Sequence, residues 1–319
     1  MPSAQVVVTR LLGSVSLHLT RQRRLHILAK LLLGKEVTDA LNAKLQERTA
    51  ALRAKGVAPT LGIIRVGEDP SDLSYEKGAT KRAELVGVDV KNFILPADAS
   101  KEDVLAVIDQ VNADDSIHGV LMFRPLPKHL KNDQNEICNR LDPKKDVDCM
   151  THMSNAGVFE GLSDLGYAPC TPAACMEILD FYGIDCKGKN AVVIGRSLVV
   201  GKPAGMMLMG KNATVTTCHT RTVNTAEICK NADIIVSAAG VLNSLTADFV
   251  RPGQIVIDVS INWDANKPNA KGGLGGIAGD AKFDEVEPIV EAITPVPGGV
   301  GSVTTSVLMK HVVEAAEKI

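Results

Sequence analysis

From Leu31 onward the chain alternates between two hydrophobic periods. In KEVTDALNAKLQERTAALRAKG, Leu41, Leu45 and Leu52 recur on one helical stripe, and Gly56 supplies a stop. TLGIIRVG is a short apolar run closed by glycine, the pattern of a buried strand. PSDLSYEKGATKRAELVGV returns to helix and ends at Gly87. VDVKNFIL reads as strand, and SKEDVLAVIDQVNADD opens a helix with Ser100 as N-cap and Asp103 three residues on. HGVLMF is a further strand, followed by RPLPKHL.

After a connection at GLSDLGYAPCTP the alternation restarts. Helix AACMEILDFYG, strand KNAVVIG, a helix from Lys202, strand NATVTTCH, helix NTAEICKN and strands ADIIVSAAG and GQIVIDVS follow in turn. The terminal helix is VTTSVLMKHVVEAAEKI, and the glycine-rich run DANKPNAKGGLGGIAGD reads as a loop. Repeated strand–helix alternation implies βαβ units and a mainly parallel sheet covered by helices. The expectation is an α/β protein of two domains meeting near residue 170, with no solenoid repeat.

Composition fits this and removes several classes. The 319 residues are 45% hydrophobic with a net charge of −2, so neither disorder nor a polyanionic partner is indicated. Aromatics at 3% are too sparse for base-stacking platforms, which also argues against nucleic acid. Seven cysteines without a C-x-x-C spacing read as reduced thiols, and seven scattered histidines without H-E-x-x-H leave a metal site unsupported. No apolar run reaches the roughly 18 residues of a membrane span. Residues 1–32 contain Arg10, Arg21, Arg23, Arg24 and Lys30 but no acid. They read as a disordered extension, an upstream start or a transit peptide. The expected location is cytoplasmic, or mitochondrial if the leader is a transit peptide.

The chemistry concentrates first in AVVIGRSLVVGKP. Gly195 closes a buried strand and Gly201 opens a helix six residues later, so backbone N–H groups there approach a pyrophosphate. Ser197 stands where the second glycine of a G-x-G-x-x-G fingerprint belongs, and a tight turn of any α/β protein fits the pattern as well. After the next strand an NAD site places an acid on the ribose. Here TTCHTRT offers His219, Thr220 and Arg221, with Arg196 in the turn itself. Arginines without a carboxylate suit a 2′-phosphate, which favours NADP.

These stretches, with VGEDPSDLSYEKGATKRAELVGV, GVLMFRPLP, DPKKDVDCM, PCTPAACMEIL, VIDVSIN and ITPVPGGVG, run in one order from about residue 31 to the end. In this the chain resembles the methylenetetrahydrofolate dehydrogenase/cyclohydrolase family. The resemblance implies a folate-binding catalytic domain over 33–170, a Rossmann-type NADP domain over 171–301, and a terminal helix, 302–319, returning to the first. It implies a homodimer serving one-carbon metabolism and purine biosynthesis. The cofactor positions it carries over are Gly195, Arg196, Ser197, Thr220 and Ile261. Pro297, Gly298 and Gly299 would line the folate–nicotinamide junction, with Ser302 where the family has proline.

In the first domain the resemblance assigns folate binding to Tyr75 and Asp148. The family's catalytic lysine, from Y-x-x-x-K, falls on Ala79. Its glutamine, from G-V-L-V-Q-L-P-L-P, falls on Phe123, and the glycine after D-V-D is Cys149. Helical geometry puts Ala79 about 40° from Tyr75, while Lys77 and Lys81 point about 200° and 240° round, as a solvated face. Arg82 returns to the tyrosine face, and Arg124 is a further nearby cation, but an arginine is a poor base. The family takes a hydride from methylene-tetrahydrofolate to NADP+ and then hydrolyses the methenyl product. The first step needs alignment, the second a proton-handling group. The expectation is a dehydrogenase with weakened or altered cyclohydrolase activity. The alternatives are an NADP oxidoreductase of the shikimate-dehydrogenase type and a non-catalytic folate- or NADP-binding relic.

Overall fold

The computed structural model of the protein describes residues 28–162, 164–268 and 272–318. The first α/β layer contains α1 (Gly34–Ala54), β2 (Thr60–Val66), α2 (Pro70–Val86), β3 (Asp89–Leu95), α3 (Lys101–Ala113) and β4 (Gly119–Met122), preceded by β1 (Lys30–Leu31). Three strands form a parallel sheet in the order β3-β2-β4. Two helices, α4 (Gln134–Arg140) and α5 (His152–Glu160), lead to α6 (Cys170–Phe181). Then come β5 (Asn190–Ile194), α7 (Gly201–Gly210), β6 (Thr214–Cys218), α8 (Thr225–Lys230), β7 (Ile234–Ser237), β8 (Ile255–Asp258), β9 (Asn262–Pro268), β10 (Leu274–Ala278), α9 (Phe283–Val286), β11 (Ala292–Ile293) and α10 (Thr304–Ala316).

The second sheet is six-stranded and parallel, in the order β6-β5-β7-β8-β11-β1. Its first connection turns one way, from β5 to β6, and the rest build outward from β7. The carboxyl end of β5 therefore lies at a topological switch point, where open α/β sheets form a ligand crevice.

Local chemistry explains the helix that carries Tyr75. Asp69 accepts from Ser71 N at 2.8 Å, Pro70 occupies the first turn, and Gly87 closes the helix at φ 78°. Arg65 on β2 pairs with Glu76 on α2 at 2.7 Å, both side chains nearly buried, and Arg65 also donates to Gly67 O. This ion pair fixes the rotation of α2 on the sheet. Ser100 and Asp103 form the reciprocal capping box at the start of α3.

The terminal helix ties the two halves together. In α10, Val307, Leu308, Met309, Val312 and Val313 are fully buried, and the helix packs on α1, α2 and α6. Truncating Leu308 to alanine costs about 2–5 kcal/mol by the ordinary core rule. Ser306 Oγ donates to Asn42 Oδ1 at 3.0 Å, and Thr38 Oγ1 to Ser302 O at 3.2 Å, so polar contacts fix the same register.

Two expectations are corrected. Lys30 and Leu31, set aside with the leader, are the edge strand of the second sheet. Lys30 N donates to Glu291 O at 2.8 Å and Leu32 N to Ile293 O at 2.9 Å. The remainder of the leader, 1–27, lies outside the described residues. The glycine-rich run is not a plain loop: β9 and β10 pair antiparallel within it, with a register shift between Leu274 and Gly276. Glycines hide the alternation of a strand because they carry no side chain to alternate.

Candidate functional site

A cavity of about 540 Å³ opens at the carboxyl end of β4, beside α2. Its walls include Asp72 and Tyr75 from α2, Phe123 and Arg124 after β4, Asp148, Cys170 from α6, and Val199 from the turn after β5. The rings of Tyr75 and Phe123 meet edge to face, centroids 6.0 Å apart and planes at 83°. Burial, with Cys170 and Asp148 nearby, pushes the Tyr75 phenol well above its ordinary value. It is therefore a neutral, half-buried ring with a stacking face.

Asp148 sits where three elements converge. Cys170 N, in the first turn of α6, donates to Asp148 Oδ1 at 3.2 Å. Arg124 Nη2 lies 3.6 Å from Asp148 Oδ2 and donates to Asp148 O at 3.4 Å. Burial raises this carboxyl above the usual aspartate range, while Arg124 and the Cys170 N–H act in the opposite direction. The loop beneath is held by Asp146, fully buried, which accepts from Met150 N, Thr151 N and Ser154 Oγ at 2.6–2.9 Å. Cys149, between these anchors, has φ 55°, a conformation natural to glycine. The thiol of Cys170 is also raised well above its ordinary value by burial. It donates to Val147 O at 3.5 Å, so it is a neutral packing group.

Ala79 is fully buried on the Tyr75 side of α2, and Lys77 and Lys81 are exposed. Arg82 is half-buried and its Nε donates to Thr305 Oγ1 of α10 at 3.4 Å, away from the cavity wall. Among the described residues lining the cavity, Arg124 is the one cation.

The second constellation follows β5. Gly195 has φ 128°, and a Cβ there would meet Ala238 O at 2.2 Å. A Cβ on Gly201 would meet Gly195 O at 2.3 Å. Both positions need glycine for a close backbone approach. Ser197 Oγ accepts from Val200 N at 3.1 Å and Gly201 N at 3.3 Å, so the serine shapes the turn that starts α7. Arg196 and Ser197 are exposed past β5, and Thr220 and Arg221 are exposed past β6; the two strands pair through Ile194 and Cys218. The crevice thus has a glycine cradle, a helix N-terminus and two arginines, a donor set that fits the pyrophosphate and 2′-phosphate of NADP.

Pro297, Gly298 and Gly299 lie against the start of α1. Gly34 N donates to Gly298 O at 2.8 Å, and a Cβ on Gly34 would strike Gly299 O at 2.2 Å. Ile261 is exposed, with its Cδ1 3.5 Å from where a Cβ of Gly301 would stand, so the VSIN and PGGVG segments adjoin.

Comparison with known proteins decides the family. Residues 32–148 match the tetrahydrofolate dehydrogenase/cyclohydrolase catalytic domain, and residues 169–319 match the NAD(P)-binding domain of the same family. The chain belongs to the tetrahydrofolate dehydrogenase/cyclohydrolase family. It is 50% identical over 290 residues to the bifunctional protein FolD of Carboxydothermus hydrogenoformans, covering 91% of this chain and 98% of that one. The bifunctional FolD crystal structure from Campylobacter jejuni is similar with TM-score 0.84 and 37% identity, covering 91% and 99% of the two chains. The Trypanosoma brucei FolD, solved with NADP cofactor and an inhibitor, is similar with TM-score 0.84 and 31% identity, covering 91% and 98%. Membership of the tetrahydrofolate dehydrogenase/cyclohydrolase family sets aside the shikimate-type alternative.

Reading the sequence missed one buried carboxylate that organises the crevice. Asp280 is fully buried and accepts from the consecutive amides of Ala239, Gly240 and Val241, and from Ser237, Ser260 and Asn262 side chains. It joins the loops after β7 and β8. Its signal was an acid at the end of GGIAGD, hidden because the whole run was read as a loop.

Proposed function

We propose that the chain oxidises methylene-tetrahydrofolate to methenyl-tetrahydrofolate with NADP+, and that it hydrolyses the methenyl product only slowly. The observation that carries this is Val199: it belongs to the Gly195–Gly201 turn and yet lines the cavity that holds Tyr75, Phe123 and Asp148. A dinucleotide bound at that turn and a substrate in that cavity meet at one edge. NADP+ supplies the hydride acceptor when bound. The chain aligns the reacting groups: Tyr75 stacks on the substrate, Asp148 accepts from its N–H groups, and Pro297–Gly299 border the junction. Hydride loss leaves a delocalised cation and asks for no base. Ring opening by water does need proton handling, and neither the methyl of Ala79 nor the ring of Phe123 provides it. The bifunctional names of the relatives favour retention of both steps; these two side chains favour the first.

In the same reading, 33–170 with 302–319 form the folate domain and 171–301 the NADP domain; the packing of α10 on α1 and α2 supports this, and α10 also packs on α6 at the start of the second domain. We read the protein as a cytoplasmic homodimer. Its seven unpaired, buried cysteines support a reducing compartment, and light scattering tests the dimer. The activity itself is tested by supplying methylene-tetrahydrofolate and recording NADP+ reduction, with the methenyl product followed separately. NADP+ binding without turnover would return the relic reading.

A further inference from the structure

The cavity wall carries a charge arrangement that the folate reading does not explain. The groups around Asp148 are acidic or neutral on almost every side. Asp146 lies below it in the same loop, Cys149 follows it, Cys170 faces it from α6 and Tyr75 from α2, and Asp72 shares the cavity. A carboxylate so placed is driven toward its protonated form by burial and by like charge. Arg124 is the exception. Its guanidinium reaches both the Oδ2 and the backbone oxygen of Asp148, at 3.6 and 3.4 Å, while the Cys170 N–H takes Oδ1 at 3.2 Å. The carboxylate thus has a hydrogen bond from Cys170 N on Oδ1 and a longer ion pair with Arg124 on Oδ2, and Arg124 is tied to the same residue through its backbone oxygen. Its side chain remains 25% exposed and that of Arg124 21%, so both still face the cavity.

We infer that Arg124 is a positioning residue for substrate: it holds Asp148 as an ionised, oriented acceptor for the adjacent N–H donors of an aminopyrimidinone ring. The inference rests on the folate reading above. A protonated Asp148 would present one donor and lose the matched pair of acceptors. Arginine suits this work because it stays charged across the whole working range and can contact two oxygens of one partner. The role is separate from the missing proton transfer, since Arg124 acts through Asp148 and not on the reacting carbon.

The test compares wild-type protein with Arg124→Gln and Arg124→Lys across pH 5–9. Steady-state KM and kcat for methylene-tetrahydrofolate are measured beside calorimetric binding of tetrahydrofolate without NADP+. Arg124→Gln is expected to raise KM and the tetrahydrofolate Kd about tenfold at neutral pH, with kcat changed far less, and to move the acid limb of binding up by about one pH unit. Arg124→Lys restores most of the charge effect and returns the acid limb toward wild type. A purely structural role predicts lower melting temperature with an unmoved pH profile. Superimposable profiles for wild type and Arg124→Gln overturn this inference alone. If Arg124→Gln does not fold, the neutral, apolar Arg124→Leu is read in its place: an acid limb moved up by about one pH unit supports the role, and a limb superimposable on wild type overturns it. Wild-type protein that neither binds tetrahydrofolate nor turns over its methylene form overturns the folate reading itself.

Discussion

The ring of Phe123 stands edge-on to the ring of Tyr75, 6.0 Å between centroids, and Ala79, one turn along α2 from Tyr75, is fully buried. The resemblance aligns Phe123 and Ala79 with the family's glutamine and lysine, and on the proposed reading this ring and this methyl replace the amide and the amine that would serve water. The Tyr75–Phe123 pair still walls the cavity with aromatic surface.

Restoring those groups tests the point. Ala79→Lys overpacks a filled site and costs about 1–3 kcal/mol. Burial would also lower the pKa of the new amine, which is the form a base needs. Phe123→Gln gives up an edge-to-face pair worth about 1 kcal/mol. The double variant is expected to accelerate enzyme-dependent decay of methenyl-tetrahydrofolate about tenfold or more over wild type, measured by the loss of its absorbance. Phe123→Gln alone is expected to change that rate little.

Gly195 is expected to tolerate no side chain. At φ 128°, with Ala238 O 2.2 Å from a built Cβ, Gly195→Ala carries about 1–3 kcal/mol of backbone strain besides the clash. Calorimetry should find NADP+ binding abolished, and thermal melting should show a lowered midpoint. Ser197→Ala should have a milder effect, since it removes only the hydroxyl that orders the turn.

Cofactor choice should follow the two arginines. Removing one charge-assisted contact to a 2′-phosphate costs about 1.5–3 kcal/mol, or about tenfold or more in affinity. Arg196→Gln and Arg221→Gln are each expected to weaken NADP+ by that factor and to leave NAD+ nearly unchanged. Equal losses for both cofactors in titration would contradict the assignment.

Stability should depend on pH through two buried groups of opposite sign. Burial raises the Asp258 carboxyl to about 7, despite the N–H groups of Ala281 and Asp280 that donate to it; Asp280 is also a nearby like charge. Between the ordinary aspartate value of about 4 and that value, the folded protein holds a proton that the unfolded chain has released. Stability therefore falls as pH rises through this window. His311, buried beside Val147 O, is lowered to about 4. Between there and its ordinary value of about 6.5 the unfolded chain holds the extra proton, so stability rises with pH. Urea melts at half-unit steps from pH 4.5 to 8 should show Asp258→Asn gaining stability relative to wild type as pH rises toward 7, with a flat difference above it.

Local features were legible in the sequence because local chemistry determines them. Asp69, Pro70 and Gly87 mark both ends of α2, and Ser100 with Asp103 marks the start of α3. Gly195 and Gly201 announced the turn, and Tyr75 and Asp148 line one cavity. What stayed hidden depends on residues far apart in the chain. The pairing of Lys30 with Ala292 joins opposite ends of the sequence, and Asp280 finds its amide partners about forty residues upstream only once β7 and β8 lie side by side. The hairpin of β9 and β10 was masked by Gly275 and Gly276. The contact of Arg124 with Asp148 depends on how two loops close over one sheet end, which no helical or strand period encodes.

The most direct measurement follows both steps in one cuvette. Purified protein is given methylene-tetrahydrofolate and NADP+, and the reduced cofactor and the methenyl product are recorded together. Rapid, enzyme-dependent NADP+ reduction is expected, with a methenyl-tetrahydrofolate signal that accumulates and decays little faster than in buffer. Absence of reduction, or methenyl decay that scales with enzyme concentration as steeply as the reduction does, would contradict the proposed function.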